Sequence, residues 1–237
     1  DKLKIIQKQE DIDVAKYLFE LKDKEKVEAV VMYHDYGTSI CISTQVGCNM
    51  GCSFCASGEL GKVRSLTLGE IVEQVLQVQI DLDSEYERVS NIVVMGIGEP
   101  FDNYDNVMKF LSLVSDEKGL NIGMRHISLS TSGIVPRIYD LLDKNLQLTL
   151  SVSLHAPNDE IRSKIMPVNN KWGVDELLKA CKLYGDASKP GLLFLYGPFT
   201  EIFPCLWCSC LADSPDAVAL FLRCAHILRG DFQRGFA

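Results

Sequence analysis

The sequence lacks the features that mark secreted or membrane proteins. No apolar stretch reaches the roughly 18 residues needed to span a bilayer, and the polar start Asp1–Lys4 does not resemble a signal peptide. The nine cysteines are odd in number and three are tightly grouped, which does not fit a framework of disulfides. These absences predict a cytoplasmic protein without membrane attachment.

Positive charge is also scarce. The 24 Lys and Arg residues are outnumbered by 32 Asp and Glu, which gives a formal net charge of −8. Taken alone, this balance argues against a nucleic-acid partner. A local group of basic residues could still bind phosphates, and its candidate members are Lys62, Arg64, Arg125, His126 and Arg137.

Lysine is missing altogether from residues 190–237, which also hold four of the nine cysteines. This break predicts three segments: 1–26, a helical remnant of an upstream domain; 27–189, the core; and 190–237, an atypical tail. We interpret the tail as the product of a reading-frame shift near Lys189. The alternatives are a second metal site at Cys205, Cys208 and Cys210, or buried structural cysteines.

The most informative motif is a C-x3-C-x2-C run formed by Cys48, Cys52 and Cys55. Three thiolates on one loop can bind three corners of an iron–sulfur cube and leave the fourth iron without a protein ligand. Structural clusters and structural zinc sites normally use four protein ligands. The spacing therefore predicts a reactive [4Fe–4S] cluster, with purely structural cysteines as the alternative.

From Val27 onward, strand patterns alternate with helix patterns. This alternation predicts an α/β fold with a parallel sheet, closed or partly closed into a barrel. In such barrels, functional residues gather where the strands end. Three motifs each follow a predicted strand: Gly96–Pro100, Ser130–Gly133 and Ser153–His155. We therefore expect them to form one shared site.

The Gly96–Pro100 loop is not a convincing dinucleotide-binding fingerprint, because it lacks a third glycine and Pro100 interrupts the expected helix. A glycine loop that ends in a carboxylate can instead approach an ammonium group, and an ordinary turn is the alternative. Ser130 and Ser153 could bind a ribose or a carboxylate. A single histidine at a strand end, such as His155, is more often structural.

Six segments together resemble the RlmN/Cfr family of radical S-adenosylmethionine (SAM) RNA adenine methyltransferases. They are Cys41–Ala56, Gly61–Thr67, Met95–Pro100, Leu129–Gly133, Ser153–Asn158 and Met166–Asn169. The resemblance covers about residues 27–186. It implies a partial (β/α)6 radical SAM barrel, incomplete after residue 190, and methylation of an adenine carbon in large-subunit rRNA. The RlmN branch acts on C2, also in some tRNAs.

Three alternatives stay open. One is C8 specificity, as in the Cfr branch. Another is a radical SAM enzyme with a different substrate. The third is a truncated protein that binds the cluster and SAM without transferring a methyl group.

The resemblance also implies residue roles. Cys48, Cys52 and Cys55 would bind the cluster, Glu28 would accept a proton, and Cys41 would act on the substrate. The implied SAM contacts are Phe54, Gly98, Glu99, Ser130, Ser153, Leu154 and His155.

In the chemistry of this family, one SAM methylates a cysteine near the C-terminus. A second SAM is cleaved reductively, and the resulting radical takes hydrogen from that methyl group. The carbon radical adds to the base, and the second cysteine, here Cys41, resolves the protein–RNA link as a disulfide. An accessible thiol of low pKa suits that step.

An electron donor such as flavodoxin or ferredoxin is implied. The tail contains no match to the expected Ala-Cys-Gly motif of the methyl-carrying cysteine.

Overall fold

The computed structural model describes residues 3–59, 61–82, 87–187 and 191–195. Strands in these ranges are β1 Lys4–Asp11, β2 Val14–Glu20, β3 Lys26–His34, β4 Gly37–Cys41, β5 Gln45–Val46, β6 Arg64–Ser65, β7 Val89–Val94, β8 Ile127–Thr131, β9 Thr149–Ser153 and β10 Leu192–Leu195. The α-helices are α1 Ala56–Glu59, α2 Leu68–Leu82, α3 Tyr104–Val114, α4 Val135–Asp143, α5 Asp159–Ile165 and α6 Val174–Ala187. Short 3₁₀ helices cover Pro100–Asn103, Met124–His126 and Pro167–Asn170.

The main sheet has eight strands in the order β1-β2-β3-β4-β7-β8-β9-β10. The first four pair antiparallel, whereas β4, β7, β8, β9 and β10 pair parallel. Within the described ranges the sheet is open, with β1 and β10 at its two edges. The α/β fold with a parallel sheet is confirmed.

The core lies between the sheet and the helices. Alternate strand residues such as Ile40, Ile92 and Leu129 share one hydrophobic cluster with residues of α2, α3, α4 and α6. Because side chains alternate across a strand, the intervening residues face the opposite side of the sheet. That opposite face carries Cys41, Ser128 and Ser130.

The helix predicted in residues 1–26 is wrong, since this segment forms β1 and β2 of the main sheet. Ala15 and Phe19 are four residues apart, a spacing that shares one face in a helix and in a strand alike. Tyr17 lies midway between them and shares their face in a strand but not in a helix. All three residues are 0% exposed, so their burial identifies a strand. Ile12, which would share a helical face with Ala15 and Phe19, is 91% exposed.

The sheet continues beyond the expected boundary at residue 190. Strand β10 pairs parallel with β9, with Leu192 opposite Leu150 and Leu195 opposite Ser153. The break in composition predicted that the core ends at residue 190, whereas one further strand of the sheet follows that residue. Cys205, Cys208 and Cys210 lie outside the described residues, so the frame-shift interpretation stays a prediction.

Two helices begin at residues whose side chains cap them. Glu70 accepts a hydrogen bond from the Thr67 amide (2.9 Å), and Thr67 Oγ1 accepts one from the Glu70 amide (3.3 Å), which is a capping box at α2. Asn158 caps α5 through the Ile161 amide (3.0 Å). Among the helices described, none combines the length and the apolar character needed to cross a membrane.

Candidate active site

The three-cysteine loop connects β5 to α1. At Gly47, where φ is +71°, a Cβ would lie 1.7 Å from the Gly61 carbonyl oxygen, so only glycine fits this close approach. The Cys55 amide donates to the Cys52 carbonyl (3.1 Å). The Ser53 amide donates to the Ile165 carbonyl at the end of α5 (2.9 Å). The loop is thus fastened to itself and to a neighbouring helix.

The thiols of this loop are in a setting that suits metal coordination. Cys48 is buried, and Cys52 and Cys55 are half-buried. Burial raises the pKa of Cys48, and burial together with the neighbouring Cys55 and Cys48 raises the pKa of Cys52 to about 12. Such thiols stay protonated until a metal supplies compensating positive charge.

The three thiols of this loop do not form a site for a single metal ion. Across the part of the chain that the structure describes, no three His, Cys, Asp or Glu side chains are arranged to hold one metal ion. The donor set of the loop is three cysteines in a C-x3-C-x2-C run. Three thiolates can bind three irons of a [4Fe–4S] cube and leave the fourth iron open.

Glu99 lies at the carboxyl end of β7, in the loop that follows Gly96 and Gly98. Its side chain is almost fully buried, at 3% exposure. Oε1 accepts from the Phe101 amide (3.1 Å) and Oε2 accepts from the Ser132 amide (2.7 Å). Burial raises the pKa of Glu99, and these amide bonds oppose the increase. The carboxylate keeps further lone pairs that an ammonium group can bind.

Ser130 and Ser153 lie near the carboxyl ends of the neighbouring strands β8 and β9. In the parallel register Ser130 pairs with Ser151, two residues before Ser153. The amides of Leu154 and His155 both donate to the Leu195 carbonyl at 3.1 Å, so β10 helps to shape this turn. The serines and the glutamate loop therefore meet at one edge of the sheet, as the motif positions predicted.

His155 adopts an unusual backbone conformation, with φ at +55°. Its Nδ1 atom is buried and has no hydrogen-bond partner among the described groups. Burial, and to a smaller extent the positive charge of Arg162, lowers the pKa of His155 to about 4. The ring of Phe54 meets the His155 ring edge-on, with centroids 4.7 Å apart. A buried nitrogen without a partner indicates a position where a ligand can bind.

Glu28 and Cys41 lie on neighbouring strands β3 and β4. Cys41 pairs with Val30, which is two residues from Glu28, so the three side chains share one sheet face. Glu28 forms an ion pair with Lys16 at 3.2 Å. Cys41 is only 2% exposed, so the expected accessible thiol is not seen. The five described cysteines form no disulfide with one another, and the expected Cys41 disulfide is therefore not present among them.

The basic residues expected to bind phosphate are mostly engaged within the protein. Lys62 pairs with Asp102 at 2.7 Å, and Arg64 pairs with Asp23 at 2.7 Å and with Glu70 at 2.8 Å. The remaining contacts are Arg125 with Gln147, His126 with Asn91, and Arg137 with Asp140. The four carboxylates among these partners offset the positive charge of Lys62, Arg64 and Arg137.

The sequence reasoning missed several buried polar residues behind the site. Gln74 accepts from the Ser43 amide and donates to the Ser43 carbonyl, both at 2.9 Å. Gln45 accepts from the Glu99 amide at 3.0 Å. Arg162 is 0% exposed and bonds to the ends of β8 and β9. Gln45 and Asn169 lie inside the Cys41–Ala56 and Met166–Asn169 segments that carry the family resemblance, but the resemblance gave neither residue a role.

A family model of the radical SAM superfamily matches residues 42–201. The chain belongs to the radical SAM superfamily. The matched range begins just before the cysteine loop and includes β10, which supports the assignment of that strand to the core. Members of this superfamily use a [4Fe–4S] cluster and SAM, and the three cysteines of the C-x3-C-x2-C loop suit the first of these groups.

Curated relatives and a solved structure agree with this assignment. The chain is 58% identical over 190 residues to a protein of Clostridium acetobutylicum named "Probable dual-specificity RNA methyltransferase RlmN", covering 80% of the chain and 54% of the relative. It is 54% identical over 198 residues to a Staphylococcus haemolyticus protein of the same name, covering 83% and 54%. A radical SAM methyltransferase structure from Sphaerobacter thermophilus matches with a TM-score of 0.79 and 40% identity, covering 82% and 57%. The chain thus spans about half the length of the curated relatives it matches.

Proposed function

We propose that this chain carries the cluster- and SAM-binding part of an RNA methyltransferase that modifies C2 of an adenine in large-subunit rRNA and in tRNA. The observation that supports this best is a convergence at the carboxyl edge of the parallel strands. There the three-cysteine loop, the Glu99 loop and the Ser153–His155 turn come together, and the Phe54 ring contacts the His155 ring. The RlmN name of the relatives favours C2 over C8.

In this proposal Cys48, Cys52 and Cys55 hold the cluster, which supplies the electron that cleaves SAM. Glu99 provides a buried anion for the SAM ammonium group. Gly98, whose φ of +108° favours glycine, allows the close approach.

The remaining SAM contacts are proposed at Phe54, Ser130, Ser153, Leu154 and His155. The neutral imidazole of His155 leaves Nδ1 available for a hydrogen bond from the cofactor. The Ser130 and Ser153 hydroxyls lie on neighbouring strands and can bond the ribose or the carboxylate of SAM.

Glu28 and Cys41 are proposed to act on the RNA base. A carboxylate and a thiol on one sheet face can remove a ring proton and break a protein–RNA bond, respectively. Glu28 forms an ion pair with Lys16 at 3.2 Å, which orients its carboxylate on this face of the sheet. Cys41 needs a local rearrangement to reach the base, because its side chain is 2% exposed.

The proposal includes a cytoplasmic location and two kinds of partner, namely RNA and a low-potential electron donor of the flavodoxin or ferredoxin class. None of the five cysteines in the described residues lies in the Ala-Cys-Gly context expected for the methyl-carrying cysteine. This observation favours one second function, a protein that binds the cluster and SAM without transferring a methyl group.

The test uses the whole chain, reconstituted with iron and sulfide under anaerobic conditions and supplied with SAM, a strong reductant, and rRNA and tRNA substrates. Mass spectrometry of digested RNA should show 2-methyladenosine. Production of 8-methyladenosine would overturn C2 specificity. Formation of 5′-deoxyadenosine without methylated RNA would favour the second function, and its absence with a filled cluster would contradict both.

A further inference from the structure

Arg162 on α5 is the largest side chain in the described chain that is fully buried, at 0% exposure. Buried arginines normally pair with carboxylates, since burying an unpaired charge is costly. Within the described ranges, no carboxylate lies in ion-pair contact with Arg162. Its charge is instead stabilised by the oxygen atoms of the strand ends.

The guanidinium group binds three backbone carbonyls. Nε donates to the Leu154 carbonyl at 3.1 Å. Nη2 donates to the carbonyls of Ser132 at 2.6 Å and Ser153 at 3.0 Å. Ser132 follows β8, whereas Ser153 and Leu154 end β9, so one rigid planar group joins the ends of two neighbouring strands.

The same group is connected to the Glu99 carboxylate through Ser132. The Ser132 amide donates to Glu99 Oε2 at 2.7 Å, and its carbonyl accepts from Arg162. A movement of Arg162 would therefore shift one of the two amides that orient the carboxylate. The helix that carries Arg162 also accepts the Ser53 amide of the cysteine loop at Ile165.

Asn169 fixes the orientation of the guanidinium from its outer side. Its Oδ1 accepts from Arg162 Nη1 at 2.9 Å, and its Nδ2 donates to Asp159 Oδ1 at 2.9 Å and to Ser163 Oγ at 2.8 Å. The Asp159 carboxylate is itself held by the Val174 amide at 2.7 Å. This chain of bonds gives the Met166–Asn169 segment a physical role.

Gly133 provides the space for this arrangement. A Cβ at Gly133 would lie 3.1 Å from Arg162 Nη2, and its φ of +107° favours glycine independently. The turn after β8 is therefore shaped around the guanidinium group.

We propose that Arg162 is a positioning residue for SAM binding: its guanidinium aligns the Ser132, Ser153 and Leu154 peptides, and through them Glu99 and His155, into a binding-competent edge. The inference rests on the proposed SAM site. The proposal predicts that lysine at position 162 cannot bind all three carbonyls at once. Lysine keeps the positive charge but lacks the planar guanidinium group with its several N–H donors.

The experiment measures the SAM dissociation constant of the reconstituted, cluster-loaded chain by equilibrium dialysis, together with the change that SAM causes in the electron paramagnetic resonance spectrum of the reduced cluster. Arg162→Lys should bind SAM roughly tenfold or more weakly, by analogy with the loss of a hydrogen bond to a charged group. Its SAM-induced spectral change should also be reduced. Arg162→Met should show a larger loss in the same direction.

Arg88→Met is the matched control, because Arg88 also bonds two backbone carbonyls, those of Leu120 and Asn121, but at the opposite end of the sheet. It should bind SAM as the wild type does. If Arg162→Met fails to fold, Asn169→Ala replaces it, and this variant should still weaken SAM binding.

Folded Arg162→Lys that binds SAM with wild-type affinity and spectrum would overturn the positioning role. A wild-type chain that does not bind SAM would instead contradict the proposed function, so the two failures are distinguishable.

Discussion

Replacing Gly96 with alanine tests whether the Glu99 loop approaches the sheet as closely as the structure shows. A Cβ at Gly96 would lie 2.6 Å from the Ile42 carbonyl oxygen, 2.7 Å from its carbonyl carbon and 2.8 Å from the Ser43 nitrogen. All three are backbone atoms, so no side chain can rotate away. The Gly96 amide also donates to the Ile42 carbonyl at 2.9 Å, and the clash acts directly on this bond.

Overpacking of this kind costs about 1–3 kcal/mol, and a lost hydrogen bond adds about 1 kcal/mol. We therefore expect the free energy of unfolding to fall by about 3 kcal/mol. With a urea dependence of about 2 kcal/mol per molar, the unfolding midpoint should move down by about 1.5 M. Circular dichroism of the cluster-free protein under anaerobic conditions measures this shift.

Gly69→Ala is the matched control. Gly69 lies in α2, and a Cβ there meets nothing within 4 Å. This substitution should leave the midpoint unchanged or raise it, because alanine favours the helix by up to about 1 kcal/mol. If Gly96→Ala unfolds at the same urea concentration as the wild type, the close approach of the Glu99 loop to β4 is refuted.

Three further changes probe the site. Cys52→Ala should lower the iron content and the broad charge-transfer absorption after anaerobic reconstitution, and full wild-type iron content would remove Cys52 from the cluster ligands. Glu99→Gln should weaken SAM binding roughly tenfold or more, since it removes the buried anion. It also places an amide donor against the Phe101 or Ser132 amide, which is itself a donor. An unchanged dissociation constant for SAM would exclude Glu99 as the partner of the ammonium group. His155→Phe should make the stability of the chain less sensitive to acid. Burial lowers the pKa of His155 from 6.5 to about 4, so between these pH values the unfolded state binds a proton that the folded state does not. The stability of the wild type is therefore lost as pH falls from about 6.5 to about 4. Between pH 7.5 and 4.5 the wild type should lose about 2.5 kcal/mol more than His155→Phe in urea titrations, and equal losses would mean that His155 titrates normally.

Several features of the site could be predicted from the sequence because they depend on short spacings along the chain. The C-x3-C-x2-C run places three thiols on one loop whatever surrounds it. The glycines of the Gly96–Pro100 loop, the capping box at Thr67 and Glu70, and the strand–helix alternation after Val27 are likewise local. Parallel strands bring their carboxyl ends to one edge, which is why motifs distant in sequence were expected to meet.

Other features could not be predicted, because local spacing left them undecided. Ala15 and Phe19 fit a helix and a strand equally, and only pairing with β3 selected the strand. The break in composition at residue 190 gave no sign that β10 pairs parallel with β9. Strand pairing depends on backbone hydrogen bonds and not on the lysine content of the segment. Accessibility is also a tertiary property. The alternating strand pattern by itself favours a buried structural Cys41, whereas the family role favours an accessible thiol, and in the structure Cys41 is 2% exposed.

By itself, the sequence determined which chemical groups the chain carries and how close together neighbouring ones must lie. Only the tertiary structure decided how Arg162 is used. Arg162 lies between two motif segments, Ser153–Asn158 and Met166–Asn169, and belongs to neither. Its partners are the backbone carbonyls of Ser132, Ser153 and Leu154. Every residue carries a backbone carbonyl, so no side-chain pattern can encode such a contact, which exists only once β8, β9 and α5 have packed together.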